Sequence, residues 1–110
     1  MTTEPMMRCI RECFECMKKC NQCYDACLQE EEVRPMTDCI RLTRDCADAC
    51  VLAAQFMTRN SGHLKEACAL CADICERCAD ECRNRAYEHC QACAEACEAC
   101  AKKCREMAAA

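Results

Sequence analysis

A chain of 110 residues with a net charge of −4 suffices for one domain and one modest core. The charge is mild and mixed in sign, with no basic stripe carrying interleaved aromatics, and no run of 18 apolar residues occurs, so neither nucleic acid nor a membrane is an expected partner. Hydrophobic residues make up 53% of the chain, yet there is no Trp, only two Phe and two Tyr, and 19 cysteines. A small reactive side chain thus stands where Leu, Ile, Val and Phe fill an ordinary core.

In chain order, Thr3-Glu4-Pro5 reads as a cap and a first-turn proline, opening a helix over 5–29. The charged run Glu30-Glu31-Glu32-Val33-Arg34 ends it, and Pro35 opens a second helix over 35–59. Arg59-Asn60-Ser61-Gly62, with the only glycine, breaks the chain before a third helix over 63–83. The weakest boundary, Arg83-Asn84-Arg85-Ala86, precedes a fourth helix over 86–107. Strand signals are missing, and short connections between helices of similar length favour an all-α, up-down-up-down four-helix bundle occupying 1–110 as a single domain.

The cysteines lie at Cys9, Cys13, Cys16, Cys20, Cys23 and Cys27 in the first helix and at Cys39, Cys46 and Cys50 in the second. The third holds Cys68, Cys71, Cys75, Cys78 and Cys82; the fourth holds Cys90, Cys93, Cys97, Cys100 and Cys104. Steps of 3 and 4 alternate, the pattern of a bundle seam, except for the step of 7 from Cys39 to Cys46. Nineteen of the twenty seam slots between the outermost cysteines hold Cys, and Thr43 is the exception. The opposite register is polar throughout, from Arg11, Lys18 and Asp25 to Glu95 and Lys102. All nineteen thiols are therefore expected inside.

Packing alone does not explain so many thiols, because a core of Cys leaves space along its axis. Disulfides fit poorly: neighbours three or four apart on one helix lack the required geometry, and nineteen is odd. The N-terminal MTTEPMMRCIREC lacks an export signal, so the chain as it stands is expected in the cytoplasm, where thiols stay reduced. Metal binding remains. A Cys₄ zinc site carries a net charge of about −2, and several in one narrow core are costly. Cu(I) accepts two bridging thiolates and tends toward about one ion per Cys, which leaves the core neutral. Multiple Cu(I) ions are the favoured cargo, with a thiolate zinc buffer second and a redox or scaffold thiol protein third. No carboxylate or His occupies the slots between the cysteines, so no enzyme is expected.

The motifs CIRECFECMKKCNQCYDAC, CIRLTRDCADAC, CALCADICERCADEC and CQACAEACEACAKKC span nearly the whole chain, and with them it resembles the bacterial copper storage proteins, cytosolic branch. That resemblance implies a cysteine-packed four-helix bundle binding many Cu(I) ions and assembling as a homotetramer.

At one end of an up-down bundle, Met6, Met57 and Met107 continue the seam beyond the cysteines, beside His63, Leu64 and Ala53. Three thioethers and an imidazole there would suit exchangeable capture of Cu(I), or else the methionines plug the end. Tyr24, Met36, Arg85, Tyr87 and His89 gather at the other end, which reads as closed, with His89 surface-exposed or packed rather than a ligand. Ile10, Phe14, Met17, Tyr24, Ile40, Leu42, Val51 and Phe56 widen the apolar faces of the first two helices, pointing to self-association as a homo-oligomer.

Overall fold

The computed structural model describes residues 2–110. Its α-helices are α1 (Glu4–Leu28), α2 (Thr37–Thr58), α3 (Leu64–Arg83) and α4 (Glu88–Ala109), and no strand occurs among the described residues. Each helix packs on its two neighbours in the ring α1–α2–α3–α4, giving a rod of 47 × 17 × 16 Å.

Local chemistry sets the helix ends. Thr3 Oγ1 accepts a hydrogen bond from the Met6 N–H at 3.3 Å, and Pro5 sits in the first turn, where it lacks only an N–H that would be unpaired. Pro35 belongs to a single 3-10 turn, Arg34–Met36, so α2 starts at Thr37, two residues later than the proline suggests. Met36, 3% exposed, tucks beneath that turn.

After α2 the left-handed residue is Asn60, φ 51°, and not Gly62. The Ser61 N–H reaches Phe56 O at 2.9 Å and the Asn60 N–H reaches Met57 O at 3.1 Å, the paired bonds that close a helix through a left-handed residue. Asn tolerates that conformation, so the glycine is not what makes the turn. The last connection needs neither Gly nor Pro. Gln91 Nε2 donates to the backbone oxygens of Arg83 and Arg85, satisfying carbonyls left over at the end of α3. Tyr87 is extended, so α4 begins at Glu88 rather than 86.

Every cysteine is fully buried, and the outward positions Arg11, Lys18, Asp25, Glu95 and Lys102 are exposed. Alanines complete the interior beside the seam, among them Ala53, Ala54, Ala72 and Ala94. Thr43 is the only buried polar side chain among the described residues, and its Oγ1 donates to Ile40 O at 3.0 Å. No helix is long and apolar enough to cross a membrane.

Candidate metal centre

The 3-and-4 spacing turns one stripe of each helix inward, and the four stripes meet on the bundle axis. All nineteen cysteines are free thiols. Their sulfurs meet across the helix interfaces: Cys9 and Cys104 at 3.7 Å between α1 and α4, Cys16 and Cys46 at 3.8 Å between α1 and α2, Cys46 and Cys75 at 3.4 Å and Cys39 and Cys82 at 3.3 Å between α2 and α3, and Cys71 and Cys104 within 4.8 Å between α3 and α4. Pairs four apart on one helix also meet, as Cys16 with Cys20 at 3.9 Å and Cys100 with Cys104 at 3.9 Å.

These spacings fit metal–thiolate chemistry but do not choose the metal by themselves. A Zn–S distance of about 2.3 Å gives a tetrahedral edge of about 3.8 Å, well within the observed range. The connectivity is more telling. Cys16, Cys20, Cys46 and Cys97 lie within 4.8 Å of one another, and so do Cys16, Cys46, Cys50 and Cys75, and Cys20, Cys78, Cys93 and Cys97. Neighbouring quartets thus share pairs of sulfurs instead of standing apart as isolated Cys₄ cages. Shared sulfurs suit an ion that accepts bridging thiolates at low coordination number.

Burial and neighbours set the protonation at the end nearest His89. Hydrogen bonds from Cys23 and Cys82 hold the Cys39 thiol down to about 3. Burial first, and then the Cys39 charge, pushes Cys27 up to about 11 and raises Cys90 as well.

The two ends differ from the outline the sequence suggests. Met6 and Met57 lie in the core, 8% and 0% exposed, and Met107 is half-buried against it. His63 does not join them: its side chain is 77% exposed and its Nδ1 lies 3.4 Å from Glu66 Oε2. His89, expected beside the seam, instead tips inward, with Nδ1 3.3 Å from Cys23 Sγ and 3.6 Å from Cys90 Sγ. Its Nε2 donates to Glu30 Oε2 at 2.8 Å, and Tyr87 stacks on the ring at 5.4 Å. The carboxylate accepts the Nε2–H hydrogen bond and so keeps the proton on Nε2, which leaves the Nδ1 lone pair facing two thiols. The signal available in the sequence was the pairing of a histidine directly before the first cysteine of α4 with a glutamate just after α1. An up-down topology places those two positions at one end.

Comparison with known proteins agrees with this geometry. A family model described as copper storage protein matches residues 2–109. A cysteine-rich protein of Bacillus subtilis strain 168, YhjQ, is 54% identical over 101 residues, covering 92% of this chain and 94% of its own length. Among solved structures, copper storage protein 3 from Bacillus subtilis in its apo form is 52% identical with a TM-score of 0.88, covering 93% of this chain and 97% of the other. The Cu(I)-bound copper storage protein BsCsp3 is 50% identical with a TM-score of 0.91, covering 96% and 99%. A cytosolic copper storage protein from Streptomyces lividans, described with five coppers loaded, is 42% identical with a TM-score of 0.94, covering 97% and 94%.

Proposed function

The chain belongs to the copper storage protein family, and we propose that its nineteen thiols hold Cu(I) ions in bulk, about one per Cys. The observation that carries this reading is the run of fully buried sulfurs whose neighbouring quartets share members. Each Cu⁺ that displaces a thiol proton leaves its site neutral, so loading can proceed through the core without accumulating charge in low dielectric. All nineteen cysteines are the proposed ligands, and His89 caps the set with its Nδ1 at the Glu30 end. The buried methionines Met6 and Met57 support a plug more than a capture site, and exposed His63 has no thiol partner.

The role is holding and release, not catalysis. Thr43 is the one buried polar side chain among the described residues, and a catalytic metal needs an open position with an acid or base beside it. Cytoplasmic residence suits a store of reduced thiols. Exposed Phe14 and Leu70, with Ile10 and Ile74 half-buried, support assembly of bundles into a homo-oligomer, a tetramer by family likeness; sedimentation at micromolar concentration tests it.

Anaerobic titration of the reduced protein with Cu(I), against a chromogenic chelator, tests the central claim. The expected endpoint is close to one copper per Cys, with about one proton released per ion in weakly buffered solution. Saturation at about four or five metals, with Zn(II) displacing Cu(I), would establish the zinc buffer instead.

A further inference from the structure

Resting on the homo-oligomer reading above, we propose that two copies of the chain pair antiparallel through α1, in a register set by Arg11 of one copy and Asp25 of the other. The basis is a second repeat on α1, beside the cysteine seam. Met7, Ile10, Phe14, Met17, Tyr24 and Leu28 recur at steps of 3 and 4, with Asn21 filling the remaining place in the run. That is the spacing of a seam, and a helix with two seams packs on two sets of neighbours. The cysteine seam is closed inside the bundle, where every thiol is buried. The second seam is left half open: Ile10, Met17 and Tyr24 are half-buried, while Met7, Phe14 and Leu28 are exposed. Surface grooves mark its course between α1 and α2. Tyr24 lines one with Ile40 and Arg44, and Phe14 lines another with Gln55 and Thr58.

Charge selects the occupant and its direction. The outer border of the stripe carries Arg11, Lys18 and Asp25, seven residues apart and exposed. Neither Arg11 nor Asp25 has an ion-pair partner within its own chain among the described residues. A second α1 offers an apolar stripe of matching length with the complementary charges. In a parallel pair the runs Glu30-Glu31-Glu32 of the two copies would lie side by side, and like charges repel. Antiparallel pairing sets each run toward the end of the partner's α1 that bears Arg8 and Arg11.

Two symmetric antiparallel registers let the stripes interdigitate. In one, Phe14 faces the partner's Met17, and the border sets Arg11 beside the partner's Lys18 and Asp25 beside the partner's Glu4. In the other, Met17 faces the partner's Asn21 and Phe14 faces the partner's Tyr24. Arg11 then lies beside the partner's Asp25, and symmetry repeats the pair. Lys18 comes near the two-fold axis, where its own Glu15, 3.2 Å away, offsets the like charges. Only this second register pairs opposite charges. Asn21, whose Nδ2 donates to Met17 Sδ at 3.3 Å, keeps one polar group in the middle of the stripe, a device that specifies register in a seam. The two Glu30 ends lie at opposite extremes of such a dimer.

The test is sedimentation of the reduced, copper-free protein at micromolar concentration. It compares the natural sequence, Phe14→Glu, Arg11→Asp, Asp25→Arg and the double variant with both charge changes. The natural protein should be a dimer or a multiple of one, and Phe14→Glu should at least halve the assembled mass. Arg11→Asp and Asp25→Arg should each weaken association by about tenfold or more, and the double variant should return to the natural strength. The substituted positions are exposed, so circular dichroism should show natural helix content throughout. A carbodiimide gives a measurement independent of those variants: the amine of Arg11→Lys should become linked to Asp25. Positions 11 and 25 stand about 21 Å apart along one helix, so that link can join only two copies, and its absence overturns the pairing. An assembled protein that Phe14→Glu leaves unchanged refutes the α1 interface and leaves the homo-oligomer reading intact. A double variant as weak as the single ones refutes the register. A natural protein that sediments as a single chain defeats the homo-oligomer reading itself, and the pairing with it.

Discussion

The two ends of the bundle carry the same inventory, soft or basic side chains beyond the last cysteines, and use it differently. At the Met6 end the thioethers point into the core and the histidine points out: Met57 is fully buried, while His63 faces solvent and Glu66. At the Glu30 end the histidine points in and is fixed there by a carboxylate and an aromatic ring. The difference shows that the direction of a side chain, and not its chemical type, separates packing from ligation. His63 immediately precedes α3, and its only side-chain hydrogen bond among the described residues is to Glu66, one turn further on. His89 lies in the first turn of α4, where Glu30 reaches across from the end of α1 and holds the ring against Cys23 and Cys90.

Four substitutions would break or sharpen that contrast. The largest effect is expected for Met57→Ala, which removes a fully buried side chain from the plug and should cost about 2–5 kcal/mol of folding stability. Thermal unfolding of the copper-free protein measures it, and copper capacity should be unchanged; lost capacity would make Met57 a ligand. His89→Ala should barely alter stability but speed chelator removal of the copper nearest Glu30 on the order of a hundredfold, the upper range for disturbing a ligand environment. Glu30→Gln keeps the shape and loses the charge that fixes the imidazole, so stopped-flow withdrawal should accelerate by about tenfold. If Glu30→Gln matched His89→Ala, the imidazole would act only when the carboxylate holds it in place. His63→Ala comes last: stability should shift by less than about 0.5 kcal/mol, with capacity and exchange rates unaltered. A slower uptake in that variant would restore His63 to the entry path.

The central part of the core was legible before any coordinates. Nineteen cysteines in one register leave no other way to bury an apolar stripe, so their interior position follows from periodicity. Thr43 was visible as a gap for the same reason. Which sulfurs touch was not legible, because those contacts depend on how rungs from four helices interleave. The break after α2 is marked in the sequence by Asn60 and Gly62 alike, and in the structure Asn60 takes the left-handed conformation. Both residue types tolerate that conformation, and only the backbone path selects between them.

The sequence by itself determined the number of helices, the face each one buries and the chemical softness of the interior, since all three follow from residue type and spacing. Tertiary structure decided which sulfurs touch and which of two histidines meets a thiol. Those outcomes depend on the relative height of neighbouring helices and on partners such as Glu30, fifty-nine residues from His89 in the chain. No local pattern encodes a contact of that kind. It exists only once the bundle closes and brings the two helix ends together.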